Sequence, residues 1–274
     1  MVNIKICYTY IMARAWTRDE KEKYKIDLER LYLAENKTIS EIANIYKLSD
    51  SGVFDRLVRL NIPTHRNLKK RFNNQRSDIR IPSRSVTLAE FFGLLMGDGH
   101  VSHFQVIVTL GTKELAYARY VRALMHGLFG GVPKISISVL GYKTVYLGST
   151  LLTRWFKQEG MVQNKVAAQV DVPRWIFEKP EYMTAFLRGF FDTDGSIYKL
   201  RFGIQLSFTN RSLPLLRSLH RMLELLGYKT SAISVYRVYV TRLPDVVRFF
   251  HDIQPANPKH QRRFRAFANH APVG

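Results

Sequence analysis

Apolar and polar positions follow two registers along this chain. Over residues 1–64 the spacing is helical. Ile26, Leu28, Leu31, Tyr32 and Leu33 predict a helix across Lys25–Ala34. Thr38 then stands before Ser40-Glu41-Ile42-Ala43 as an N-cap for a short helix reaching Tyr46. A turn at Leu48-Ser49 leads into Asp50–Leu60, where Val53, Leu57 and Leu60 recur at i, i+4 and i+7. Three short helices with a tight turn before the third predict a helix-turn-helix, with Ile42, Ala43, Leu48, Val53 and Leu57 as its core.

From residue 85 the pattern changes and then repeats. Gln105–Leu110 alternates with period two, and Thr112–Leu128 is amphipathic with period 3.6. Ile135–Leu140 and Tyr142–Leu147 predict a hairpin around Gly141, followed by a helix over Thr150–Glu159. The later half reads the same way: strands in Ile197–Phe208, a helix over Arg211–Leu226, a hairpin in Ala232–Thr241 and a helix over Pro244–Ile253. Each half is therefore expected to be αββαββα, an α+β fold with pseudo-symmetric halves at 85–170 and 171–274. Between the helical part and the repeat, residues 65–84 lack apolar periodicity and predict a linker.

Charge sharpens this division. The 274 residues hold 42 Lys+Arg against 22 Asp+Glu, a net +20. Residues 1–84 contribute +8 and residues 85–274 contribute +12, so the charge is no detachable tail. The linker alone carries seven bases and one acid. This balance points to a polyanionic partner. No apolar run approaches the ~20 residues that span a bilayer. The lone Cys7 excludes a disulfide framework and zinc sites built on cysteine pairs. With no secretory leader visible, the expected setting is intracellular: cytoplasmic and nucleoid-associated in a prokaryote, or organellar.

Each half opens with a related segment. The first runs Leu88-Ala89-Glu90-Phe91-Phe92-Gly93-Leu94-Leu95-Met96-Gly97-Asp98-Gly99. The second runs Met183-Thr184-Ala185-Phe186-Leu187-Arg188-Gly189-Phe190-Phe191-Asp192-Thr193-Asp194-Gly195. Gly93 and Gly97, like Gly189 and Thr193, are four apart and share a helical face. Small residues at that spacing let two helix backbones close on one another, so the two segments are expected to pack together. Gly99 and Gly195 suit a left-handed closing residue. Asp98 and Asp194 then sit at the negative ends of helix dipoles, at a cost of up to ~1 kcal/mol each, and would repel one another. A divalent cation removes both objections, whereas a pair of solvated acids is the plainer alternative.

These residues resemble the LAGLIDADG homing endonuclease motif, present in two copies 96 residues apart at Asp98 and Asp194. The resemblance covers roughly 85–265 and includes Val172-Pro173-Arg174-Trp175-Ile176 ahead of the second copy. Met96 departs from the motif, where Asp192 keeps the acid. The resemblance implies a monomer that cuts double-stranded DNA at a long site with Mg²⁺. Asp98 and Asp194 would be metal-binding catalytic acids, joined by the carbonyls of Gly97 and Thr193 as further ligands. Lys165 and Lys259 would be basic catalytic residues near the scissile phosphates, and Thr109 and Ser207 would orient water.

DNA contacts are expected from strand residues Gln105, Lys143, Lys199, Arg201, Gln205 and Arg237, which would enter the major groove. Arg56 and Arg59 of the helix-turn-helix would add to them. Lys69, Lys70 and Arg71 in the linker would follow a phosphate backbone. Two other functions fit the same pattern: a DNA-binding regulator that has lost cleavage, and an RNA maturase acting on intron RNA. No membrane partner is expected.

Overall fold

The computed structural model describes residues 17–64, 76–162, 164–201 and 203–268. Lys69, Lys70 and Arg71 lie outside the described residues. The chain divides into two compact units, residues 1–73 and 74–274.

In the smaller unit, α1 (Arg18–Glu29) continues into a wide π turn over Arg30–Ala34. The helix therefore starts earlier than its apolar spacing suggests. The widened turn lets the consecutive Leu31 and Tyr32 both enter the core. Thr38 and Glu41 form a reciprocal capping box at the start of α2 (Ile39–Tyr46). Lys47 takes the left-handed conformation that turns the chain toward α3 (Asp50–Arg59), which Ser49 caps through the Gly52 N–H. Ile42, Ala43, Val53 and Leu57 are buried as expected, and Leu48 packs at the edge of the cluster. The Tyr32 hydroxyl donates to the Thr64 carbonyl at 2.9 Å, tying the end of the unit to its core.

The larger unit is an α+β fold with two antiparallel sheets. Two long buried helices lie at its centre, α4 (Val86–Met96) and α7 (Pro180–Asp194). Their contact is reciprocal: a Cβ on Gly93 would overlap the Phe186 carbonyl, and one on Gly189 would overlap the Glu90 carbonyl. Reciprocity of this kind is what a twofold relation between halves requires. Across the same seam, the buried Glu90 pairs with Arg188 at 3.4 Å and accepts from the Tyr120 hydroxyl.

After α4 come β1 (Gly99–Val101), β2 (Gln105–Leu110), α5 (Leu115–Phe129), β3 (Lys134–Ile137), β4 (Lys143–Gly148) and α6 (Thr150–Gln158). The sheet order is β1-β2-β4-β3. After α7 come β5 (Gly195–Leu200), β6 (Gly203–Thr209), α8 (Leu213–Leu225), β7 (Arg237–Val240) and α9 (Leu243–Asp252), with sheet order β5-β6-β7. A last helix, α10 (Pro258–Ala268), follows. Ring clusters fill each half, with Phe91 on Phe129 at 5.1 Å and Phe191 on Phe249 at 4.9 Å.

Three expectations change. The hairpin across Ala232–Thr241 keeps only β7 as a strand. Val235 and Tyr236 both turn left-handed, so Ser234 and Arg237 pair as an isolated bridge. Gly99 and Gly195 do not close their helices in the left-handed region: both open strands, and Gly195 is extended at φ −79°, ψ 155°. They are glycines because a Cβ there would collide with the backbone of Leu95 or Phe191 in the preceding helical turn. Finally, the end of the 65–84 stretch is no free tether. Ile79 bridges Gly130 and is buried, while Arg80 donates to the carbonyls of Phe129 and Leu128.

Candidate metal and nucleic-acid site

The two acids stand where the paired helices end. α4 stops at Met96, so Asp98 sits in a turn, held by the Thr109 N–H donating to its carbonyl at 3.2 Å. Its side chain reaches solvent on one side and packed protein on the other. Asp194 is the last residue of α7 and is partly covered. Burial, and then the charge of Asp98, push its carboxyl up to about 7. Asn210, just after β6, donates to Asp194 Oδ2 at 3.2 Å. Asp98 is also raised by burial; Lys259 and Lys165 oppose this and Glu114 adds to it. The charge of Asp98 thus disfavours the ionised form of Asp194, as a nearby carboxylate must.

Lys165 answers this charge from the first half. Its Nζ donates to the carbonyls of Leu95 at 3.0 Å, Met96 at 2.9 Å and Gly97, capping the open end of α4. Burial lowers its pKa, while Asp194 and Asp98 pull it back up. Lys165, Gly97, Asp194 and Asn210 line one cleft of about 340 Å³. Lys259 is held differently, by an ion pair with Glu114 at 3.0 Å. Burial would raise Glu114, but hydrogen bonds from Asn257 and Lys259 outweigh it and hold the carboxyl low. Asn257 donates to both Glu114, at 2.7 Å, and the Asp192 carbonyl, at 3.0 Å.

Asp192 and Met96 explain each other. The fully buried Asp192 carboxylate accepts the N–H groups of Ala256 at 2.9 Å and Asn257 at 3.0 Å. It anchors the segment that delivers Lys259, and burial pushes its pKa up to about 7. At the matching place in the first half, Met96 is simply packed in the core, and Lys165 itself ties down its segment. Thr193 is buried at the helix crossing, its hydroxyl donating to the Phe190 carbonyl at 3.0 Å.

A metal held by Asp98 and Asp194 would meet carboxylate oxygens; of the two carbonyls expected beside them, that of Gly97 already accepts from Lys165 Nζ. That donor set suits a hard divalent cation. Among the described residues no group of three or more His, Cys, Asp or Glu side chains could hold one.

Sheet parity sorts the expected DNA-reading residues. In β2 and β4, Val106, Val108, Val145 and Leu147 face the core, leaving Gln105, Ile107, Thr144 and Tyr146 on the open face. Lys143 has the core parity and is buried. Its Nζ donates to the carbonyls of Gly141, at 2.6 Å, and Thr112, so it pins the hairpin and cannot read bases. Lys134, opposite Tyr146, shares the open side that Lys143 lacks. In the second sheet, Gln205 and Arg237 lie on the open face with Tyr198 and Tyr239. Lys199 has core parity but extends past the core and is exposed, as is Arg201 in the turn. Thr109 and Ser207 are not counterparts: Gly99 pairs with Val108 and Gly195 with Phe208, which matches Thr109 to Thr209. In the smaller unit Arg59 is exposed beside the uncovered Phe54 and Val58, and Arg56 lies over the Tyr24 ring at 5.5 Å.

Sequence reasoning missed Asn210, Glu114, Asn257 and α10. The last had a signal, since Asn257-Pro258 is an N-cap and first-position proline before Phe264 and Phe267.

Residues 181–254 match the family model of a LAGLIDADG-like domain. No curated protein matches the chain. Among solved structures, the chain is similar to the N-terminal LAGLIDADG domain of WhiA, with TM-score 0.46 and 16% identity, covering 69% of this chain and 93% of that one. It is also similar to I-DmoI in complex with DNA and Mn, with TM-score 0.44, 18% identity and coverage of 61% and 96%. A third likeness is to the I-SmaMI LAGLIDADG homing endonuclease bound to cleaved DNA, with TM-score 0.42, 14% identity and coverage of 67% and 87%. The likeness to the LAGLIDADG-like family is carried by residues 181–254, which include the helix that ends in Asp194.

Proposed function

We propose that this chain is a divalent-metal-dependent endonuclease of double-stranded DNA, acting as a monomer at a long site. The observation that carries this reading is the approach of Asp98 and Asp194 at the ends of the glycine-faced helix pair, where the charge of Asp98 raises the cost of ionising Asp194. A pair of like charges kept in one place is compensated by a cation, and the oxygen-only donors fit Mg²⁺. When bound, such an ion supplies Lewis acidity and a water of lowered pKa.

The chain's own residues do the rest. Asp98 and Asp194, in their ionised forms, would hold the cation, with the carbonyls of Gly97 and Thr193 as further ligands. Lys165 keeps the end of α4 closed and puts a positive charge within reach of both acids. Lys259, steadied by Glu114, faces the charge that develops on a phosphate. The open sheet faces, with Gln105, Gln205 and Arg237, lie against the duplex.

A second reading, a DNA-binding protein without cleavage, is favoured by one observation. The Lys165 ammonium already sits on the Gly97 carbonyl, one of the expected metal ligands. One experiment separates the readings. Purified protein is given DNA of its own genetic locus with Mg²⁺, beside Asp98→Asn and Asp194→Asn controls. Cutting that needs both acids supports the endonuclease; binding without cutting supports the regulator. Binding and stimulated splicing of intron RNA, with no cutting, would support a maturase.

A further inference from the structure

Beside Lys259, but outside the acid site, an open groove of about 770 Å³ runs between the start of α5 and α10. Lys113, Lys259, Arg262 and Arg263 line it against the single acid Glu114, over a floor that includes Tyr117 and Phe267. Glu114 is committed to Lys259 and Asn257, so it does not neutralise the other three cations. Lys113, Arg262 and Arg263 are exposed, and among the described residues none of them forms an ion pair with a carboxylate. The groove is firmly built: α10 is capped by Asn257, and Phe264 stacks on Phe250 at 4.0 Å between ring centres. Its basic side is thereby held outward. Cations without a carboxylate partner repel one another, and the one bond recorded for them within α10 is from Arg262 Nε to the Pro258 carbonyl at 3.3 Å.

We infer that this groove is a phosphate clamp for the backbone of duplex DNA, and that it exists on one side of the molecule only. This rests on the endonuclease reading for its ligand, because the groove begins at Lys259, next to the proposed cleavage site. Phosphate contacts need positive charge and access, and the groove offers both. The one-sidedness follows from the other half. Shifting Arg262 and Arg263 by 94, the spacing between Lys165 and Lys259, lands on Ala168 and Gln169. That segment is a run of turns without a helix and without those charges. The clamp therefore adds contacts along one strand beyond the symmetric saddle, and fixes which way round an asymmetric site is held.

The test is the salt dependence of DNA binding by the full chain without divalent metal. The probe is a mixed-sequence 40-base-pair duplex, compared with a single-stranded RNA of equal length. The triple variant Lys113→Gln, Arg262→Gln, Arg263→Gln is measured beside a charge-matched control, Arg119→Gln, Lys157→Gln, Arg217→Gln, on exposed helix positions elsewhere. Each lost phosphate contact lowers the slope of log K against log salt by about 0.9. The clamp variant is expected to lose about 2–3 from the slope and about 10- to 100-fold in affinity at low salt. Equal losses in both triples would overturn the clamp, as would a loss confined to RNA. A wild-type chain with no affinity for the duplex would instead overturn the endonuclease reading beneath it. Unchanged thermal unfolding of the triple excludes a folding defect.

Discussion

The two halves of the larger unit end the same motif in the same Asp-Gly pair, yet they hold the acid and its lysine by different means. In the first half, Lys165 bonds directly to three carbonyls at the end of α4. In the second, Asp192 ties down the following segment through two N–H groups, and Lys259 is set against Glu114. A cation closes one helix end, and a buried anion anchors the chain beyond the other. The difference teaches that a motif position with a missing acid need not be a damaged site. Met96 stands where anchoring passes to a residue 69 positions away.

The comparison can be broken most directly at the acids. Asp98→Asn and Asp194→Asn are each expected to reduce Mg²⁺-dependent cleavage about 10³-fold or more, roughly 4 kcal/mol, in a supercoiled-plasmid assay. A large loss from one and little from the other would mean that the halves differ in chemistry and not only in support. Next come the crossing glycines. Gly93→Ala and Gly189→Ala each press a methyl onto a backbone carbonyl of the partner helix. Both are expected to cost about 2–3 kcal/mol in urea unfolding. Unequal losses would show that the reciprocal seam is not energetically symmetric.

A pH test sharpens the contrast further. His260 is fully buried against Phe191, and burial drives its pKa down to about 3. Its folded pKa lies below the unfolded value, so the unfolded chain binds the extra proton between about pH 3 and 6.5. The stability that His260 contributes is complete above pH 6.5 and is lost as pH falls through this window, at about 1.4 kcal/mol per unit. Subtracting the stability curve of His260→Phe from that of the wild type should give this rising limb. The position 94 residues earlier is the exposed Val166, so only the second half carries the effect. The smallest expected difference lies between the lysines. Lys165→Gln should cost about 1 kcal/mol of stability by opening the helix end. Lys259→Gln should change stability by no more than about 0.5 kcal/mol, since its pair is partly solvated.

Much of the fold was legible in the chain because its signals are local. Apolar spacing located the helices at Thr150–Gln158, Leu213–Leu225 and Leu243–Asp252 within about two residues. The four-residue spacing of Gly93 and Gly97 foretold the close helix pair. The candidate site was only partly legible. Lys143 looks like a base reader until register puts it on the core side of β4, where it bonds to two carbonyls. Asn210 and Glu114 carry no local sign of function, because their partners Asp194 and Lys259 lie 16 and 145 residues away.

By itself the sequence determined what is periodic or repeated: the helical lead segment, the doubled αβ unit, the two acids on glycine-faced helices and the excess of positive charge. Periodicity and small-residue spacing act through neighbours within a turn or a strand, so they can be read without the fold. Only the tertiary structure decided which lysine caps a helix and which faces a carboxylate. It also decided that Gly99 and Gly195 are required by close approach and not by a left-handed turn, and that α10 closes a basic groove beside Lys259. Those properties depend on distances between residues far apart in the chain, and burial then sets their charge states.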